Sequence, residues 1–215
     1  TFKKILNFKK KLFHTRDLDQ YLKANKFKGE IINVEHHISH IASSYFNSPF
    51  KKSAGLTIDG FGDFCSSQTF LCNDNKIDSL KKVYFPHSLG ILYQSITQFL
   101  GFKNYGDEYK VMGLASYGEP IYKDRILKIL KSKKKFFELN LNYFDHHQSV
   151  IDYDFESGYP FFDDLYSSEI EKLFGKSRTA NQPIEKINNI FYKLLQAVFK
   201  QEILNQHNEI KKKYK

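Results

Sequence analysis

The stretch from Gly55 to Phe85 leaves little choice of local fold. It holds three strand-like segments, Gly55–Ile58, Cys65–Cys72 and Ile77–Phe85, separated by connections too short for a crossover helix. Strands joined this closely pair antiparallel, because a parallel neighbour needs a connection of about a dozen residues or more. Asp59-Gly60 reads as the first turn and Asn73-Asp74-Asn75 as the second, since these residue types reach positive φ at low cost. The expectation is an antiparallel meander that ends at Pro86.

The flanks are mostly helical. Residues 1–30 read as a polar helical lead-in closing at Gly29, and Ile31-Ile32-Asn33-Val34 as a short buried strand. From His37 to Phe46 the apolar positions Ile38, Ile41, Ala42 and Tyr45 fall on one helical face, and Asn47-Ser48-Pro49 stops the helix. Beyond the meander, Ser88 is placed to cap a helix through Leu92, Ile96, Phe99 and Leu100, which Gly101 closes. Tyr122–Lys131 and Asp164–Phe174 read as further helices, and 140–162 as a loop. Pro183 opens a last helix with an apolar stripe from Ile184 to Val198. Strand, helix, meander and then helices make an α/β domain.

Composition excludes several classes. At 215 residues, 41% hydrophobic and 16% aromatic, the chain can build a core, so whole-chain disorder is not expected. No apolar run approaches the ~20 residues of a membrane span. Lysines interrupt the opening residues before a signal peptide can develop, which makes a cytoplasmic protein the expectation. A start on Thr1 and a finish in lysines lead us to expect a piece of a longer polypeptide. The net charge of +9 invites a nucleic-acid partner. Against that, Arg16, Arg125 and Arg178 are the only arginines, and the lysines are dispersed apart from runs at 131–135 and 211–213. Bidentate phosphate and base recognition favour arginine, so a solvated lysine-rich surface is expected and no nucleic acid. Cys65 and Cys72 fit no metal-ligand spacing and read as buried free thiols.

Three clusters carry candidate chemistry. His36 and His40 are four apart at a helix start, so both rings can face one side and offer two nitrogens to a metal. His37 makes three histidines in five residues, which strengthens that reading; it also occupies the place where a zinc protease carries its glutamate. Asp59-Gly60 ends an apolar strand. Its carboxylate can complete a metal site or orient a hydroxyl, and Gly60 and Gly62 admit close approach of a phosphate; a plain hairpin turn is the competing reading. Glu108 and Lys110, in a segment flanked by Gly106, Gly113 and Gly118, are substrate-side candidates, with a surface ion pair as the alternative. His87 and Ser88 after Pro86 read as a turn and a helix cap.

In order and spacing, these segments resemble a known family. His36-His-Ile-Ser-His40-Ile-Ala-Ser-Ser-Tyr, Leu56-Thr-Ile-Asp59-Gly60-Phe-Gly, Tyr84-Phe-Pro-His-Ser-Leu-Gly90-Ile-Leu-Tyr, Gly101-Phe-Lys and Glu108-Tyr-Lys-Val-Met-Gly-Leu-Ala-Ser-Tyr-Gly118 are similar to the amino-terminal domain of O-carbamoyltransferases acting on nodulation factors, cephamycins and aminoglycosides. The resemblance covers roughly residues 31–205, with Arg178 and the helix from Pro183 as its following segment, and departs at Ser116, where the family often has Pro. It implies an incomplete actin-like ATPase (ribonuclease H-like) domain, the carboxy-terminal adenylate-forming domain being absent from this chain. It also implies a carbamoyltransferase of a biosynthetic pathway. Carbamoyl phosphate and ATP give carbamoyl-adenylate, and the carbamoyl group passes to a hydroxyl of a small-molecule or glycan acceptor. His36 and His40 then match the family's iron-binding pair, zinc being the alternative by ligand type. Asp59, with Gly60, matches an acidic site at the adenylate. A third metal ligand and a glycine-rich phosphate segment lie outside this chain, and no residue marks itself as the general base. The fragment is not expected to turn over alone. A truncated module that binds nucleotide or a partner without transfer is the other reading of the same fold.

Overall fold

The computed structural model describes residues 20–117, 123–132, 137–148, 153–154, 161–183, 200, 204–205, 208 and 210–212. The chain forms two units, Thr1–Glu35 and His36–Lys215. In the first, a helical stretch covers 20–24, and the run 31–34 pairs with no strand among the described residues. The strand expected at Ile31–Val34 is therefore absent there. Apolar β-branched residues favour a strand, but a strand exists only through a partner's backbone.

The second unit is built on a three-stranded antiparallel sheet in the order β1 (Lys52–Gly62), β2 (Cys65–Asn73), β3 (Lys76–Tyr84). The meander forms as its short connections require, but its first turn is Asp63-Phe64 and not Asp59-Gly60. Both turn residues have positive φ, 49° and 62°, as a type I′ hairpin turn needs. Asp59-Gly60 lies within β1, where the register jumps from Ile58↔Ser67 to Gly62↔Cys65. This bulge turns the strand and re-aims the carboxylate of Asp59. The second turn is at Asp74-Asn75, with Asp74 at φ 48°.

The central strand β2 is buried over most of its length although it is largely polar. Hydrogen bonds make this tolerable. The Ser66 hydroxyl donates to the His87 carbonyl (2.6 Å), Ser67 to the Thr57 carbonyl (3.0 Å), and the Gln68 amide to the Ser79 hydroxyl (2.7 Å). Both cysteines are buried free thiols.

Helix α1 (His36–Tyr45) packs Ile41 and Tyr45 against Phe70 and Cys72. A Cβ at Gly55 would stand 2.4 Å from the tip of Ile41, so the small residue on β1 lets the helix settle onto the sheet. The main core gathers around α2 (Leu89–Phe99), whose Leu89, Leu92, Ile96 and Phe99 pack with Val83, Val111 and Ile126. The α2 termini follow the sequence pattern. Ser88 accepts from the Ile91 N–H at 3.1 Å, and Gly101 takes φ 84° at the other end. The Arg178 guanidinium donates to the Leu100 carbonyl at 2.8 Å and closes that terminus.

Further along lie α3 (Glu108–Leu114), α4 (Lys123–Ile129), the β4–β5 hairpin (Leu130–Ser132, Phe137–Leu139), β6–β7 (Tyr153–Asp154, Phe161–Phe162) and α5 (Glu169–Phe174). Three expectations shift. The helix expected over Tyr122–Lys131 gives way to strand at Leu130, which pairs with Leu139 and buries both side chains. The helix expected from Asp164 begins at Glu169, because Tyr166 is held in a bridge to Phe144. The loop expected over 140–162 contains the β6–β7 pair. The apolar stripe from Ile184 to Val198 lies outside the described residues.

Candidate functional site

The first turn of α1 and the bulge of β1 bring His36, His40 and Asp59 together. The Nε2 atoms of His36 and His40 are 3.0 Å apart, and they lie 2.7 and 3.2 Å from Oδ2 of Asp59. The side chains are one-third to one-half exposed. Burial alone would raise the Asp59 carboxyl, but hydrogen bonds from His36, the Gly60 N–H and His40, together with the nearby His36 charge, hold it below the ordinary carboxylate range. Its other oxygen, Oδ1, accepts from the Gly60 N–H at 2.6 Å.

The surroundings leave these groups little freedom. A Cβ at Gly62 would fall 1.9 Å from Cδ2 of His36, so that glycine makes room for a ring. A Cβ at Gly90 would fall 2.6 Å from the Asp59 carbonyl oxygen and 2.7 Å from the Gly60 nitrogen. The first turn of α2 thus lies directly on the bulge. Ser88, fully buried, adds donation to the Gly60 carbonyl (2.7 Å) or the Asp59 carbonyl (3.0 Å). At the α1 terminus the His36 N–H donates to the Asp63 carboxylate at 2.8 Å, across the hairpin turn.

His37 stands apart from its neighbours. It is fully buried, with Nδ1 2.8 Å from the Thr57 hydroxyl and Nε2 2.9 Å from the Cys65 carbonyl. A carbonyl only accepts, so Nε2 carries a proton and both nitrogens are engaged away from the His36–His40 side. The three histidines are therefore a pair facing Asp59 and one facing the sheet.

The donor set suits a divalent metal. Among the described residues, His36, His40 and Asp59 form a group of three ligand atoms lying within 4.8 Å of one another. Donors about 2.1 Å from a shared ion at near-right angles would be about 3.0 Å apart, and two imidazoles plus one carboxylate is a familiar set for iron, with zinc also compatible. The observed separations of 2.7 to 3.2 Å match that spacing.

Asp59 and Gly60 also line a cleft of about 510 Å³, within the usual range for a small-molecule site. Its wall includes Tyr93, Tyr109 and Met112, and Glu108 reaches it from α3. No hydrogen bond or ion pair engages the Glu108 carboxylate among the described residues. A Cβ at Gly60 would meet nothing within 4 Å, so backbone is open to approach there, whereas the space beside Gly62 is taken by His36. Lys110 does not line the cleft; its ammonium sits 2.7 Å from the Asp107 carboxylate, which holds it above the ordinary lysine range. The sequence signals did not single out Gln94, Tyr93 or Tyr105, all of which line the cleft, because long-range packing places them there.

The chain is 45% identical over 114 residues to an uncharacterized protein of Synechocystis, covering 52% of this chain and 18% of that one. It is 44% identical over 87 residues to the nodulation protein NolNO of Sinorhizobium fredii, covering 40% and 13%. Against the nodulation protein NolO of Bradyrhizobium diazoefficiens it is 39% identical over 108 residues, covering 49% and 18%. The chain thus spans less than a fifth of the length of these curated relatives. Residues 3–215 match the profile of the family described as Carbamoyltransferase N-terminus, and the chain belongs to that family.

Proposed function

We propose that this chain supplies part of the amino-terminal, actin-like ATPase-type (ribonuclease H-like) domain of a carbamoyltransferase. The whole protein takes carbamoyl phosphate, ATP and water, forms carbamoyl-adenylate with release of phosphate and pyrophosphate, and passes the carbamoyl group to a hydroxyl of a small-molecule or glycan acceptor. The observation that carries this reading is Asp59, which faces the His36–His40 pair with one oxygen and lines the cleft beside Gly60. Transfer forms a bond from the acceptor oxygen to the carbamoyl carbon and breaks the bond to AMP, which leaves with the electron pair; the acceptor loses its proton.

His36 and His40 would hold a divalent metal, iron ahead of zinc, with Asp59 the third donor among the described residues. When bound, such an ion supplies positive charge to offset the charge on the departing phosphate. The chain's own groups do the remaining work. Gly60 exposes backbone where the adenylate approaches, and the bulge fixes Asp59 beside it. Glu108 accepts hydrogen bonds from acceptor hydroxyls in the cleft. Lys110 acts indirectly, by bracing Asp107 at the start of the α3 turn that carries Glu108.

The test uses the full-length protein with ATP and labelled carbamoyl phosphate. The expected result is AMP release that needs carbamoyl phosphate, and loss of both AMP release and bound metal in the His36→Ala, His40→Ala double variant. Unchanged metal stoichiometry in that variant would remove the ligand assignment. Absence of any carbamoyl-dependent AMP release by the metal-loaded wild type would favour a non-catalytic nucleotide- or partner-binding module.

A further inference from the structure

We propose that His37 is a positioning residue. It clamps α1 to the β1–β2 hairpin and so sets the rotation of the helix that aims His36 and His40 at Asp59. The inference rests on the metal reading of those three residues.

Successive side chains on an α-helix are about 100° apart, so His36 and His40 lie within about 40° of one another, while His37 is offset by about 100° from His36 and about 60° from His40. The two sides meet different parts of one hairpin. His36 and His40 meet Asp59 in the bulge, whereas His37 meets Thr57, two residues earlier on β1, and the Cys65 carbonyl on β2. The clamp therefore joins α1 to the strand that carries Asp59, and also to that strand's partner.

Magnitude decides whether this matters. A rotation of roughly 10° sweeps side-chain tips at a radius of ~5–6 Å by about 1 Å. Metal–ligand distances tolerate only about 0.2 Å. Apolar packing of Ile41 and the Tyr45 ring holds α1 onto the sheet without a preferred direction, and the directed bond from the Tyr45 hydroxyl to the Lys51 carbonyl (2.7 Å) ties the far end of the helix, away from His36. Two hydrogen bonds of defined direction, made by one fully buried ring, fix the helix's rotation well.

The experiment compares His37→Leu, His37→Gln and Thr57→Val in the full-length protein, loaded with Co²⁺ in place of the native metal. Gln keeps an amide N–H near the position of Nε2 to donate to Cys65; Leu keeps bulk alone; Thr57→Val removes the hydroxyl and leaves His37 in place. The readouts are Co²⁺ affinity, the cobalt visible absorption bands, and the imidazole ¹⁵N signals of His36 and His40 in the metal-free protein. The expected result for His37→Leu and Thr57→Val is at least a tenfold loss of Co²⁺ affinity with shifted bands, at a temperature where the protein stays folded. His37→Gln should recover affinity to within about threefold of wild type. Wild-type bands and affinity in a folded His37→Leu protein would overturn the proposal, as would a His37→Gln variant that binds no better than His37→Leu. If His37→Leu does not fold, Thr57→Val and His37→Gln decide the matter in the same way. If the wild type takes up no Co²⁺, the metal reading fails, and the ¹⁵N spectra judge the clamp separately. Loss of the His36–Asp59 hydrogen-bond signature in Thr57→Val, with its retention in His37→Gln, supports the clamp; an unchanged signature in both overturns it.

Discussion

Gly90→Ala tests how the second helix holds the Asp59 carboxylate at the proposed metal site. The new methyl would sit 2.6 Å from the Asp59 carbonyl oxygen, 2.7 Å from the Gly60 nitrogen and 2.8 Å from the Asp59 carbonyl carbon. All three are backbone atoms, so no side chain can swing aside. The overlap is roughly 0.8 Å inside ordinary van der Waals contact. Either α2 withdraws from the bulge or the bulge itself moves by about that much. Overpacking of this kind costs about 1–3 kcal/mol, while replacing a helical Gly by Ala returns up to about 1 kcal/mol. The net loss of about 0–3 kcal/mol is a drop in Tm of roughly 0–12 °C for a domain of this size. The site is more sensitive than the fold, because displaced support behind a metal ligand weakens metal binding by about 10–100-fold. The assay pairs a thermal melt with a Co²⁺ titration of the same preparation. Gly113→Ala in α3, where an added Cβ meets nothing within 4 Å, is the control and should leave both readings at wild type or slightly better. Gly90→Ala with wild-type Co²⁺ affinity would refute the reasoning, whatever its Tm.

Other outcomes follow from neighbouring contacts. Gly62→Ala places a methyl inside the His36 ring and should abolish high-affinity Co²⁺ binding while the far-UV circular dichroism stays native. Glu108→Gln should raise KM for the acceptor in the full-length enzyme with metal content unchanged; a normal KM would exclude Glu108 from the acceptor site. Lys110→Met should lower Tm, since Asp107 is buried and loses its ion pair, without altering Co²⁺ affinity. His146 gives a pH dependence. Burial, followed by the charges of His147 and His87, lowers it below the ordinary histidine value despite a hydrogen bond to the Pro86 carbonyl. The unfolded chain then takes up the proton first, so stability should fall as pH drops below about 6.5, at no more than ~1.4 kcal/mol per pH unit, with no contribution above it. His146→Gln, which can still donate to Pro86, should flatten the acid limb of a Tm-against-pH curve; an unchanged limb would assign the dependence elsewhere.

What the sequence made legible was local. Ser88 and Gly101 bracket α2 because capping chemistry acts within a turn of the helix end. The meander is legible because its connections are too short for anything else. Asp59-Gly60 misleads for an instructive reason. Asp-Gly is the cheapest residue pair for a hairpin turn, yet the turn falls on Asp63-Phe64, with no glycine. That position is supported by the Asp63 carboxylate, which is occupied by a helix amide 27 residues earlier in the chain, and no local pattern carries that information. The His36–His40 pairing was readable from spacing. The separate role of His37 was not, because it depends on where the helix lies on the sheet. Glu108 was legible as a residue of interest, but its place beside Gly60 and Asp59 arises from the packing of α3 near α2.

The borrowed cap on α1 has a thermodynamic consequence. An isolated ten-residue helix is marginal in water, and the first N–H of this one is held by Asp63 of the hairpin turn. The helix and the hairpin should therefore melt as one cooperative unit, with His36 amide exchange tracking the opening of the Asp63–Phe64 turn and not the fraying of a helix end. A ligand held by His36 and His40 binds only when that unit is closed, so binding free energy feeds directly into its stability. Metal supply would then govern how often this corner of the protein unfolds, as well as what it can do when folded.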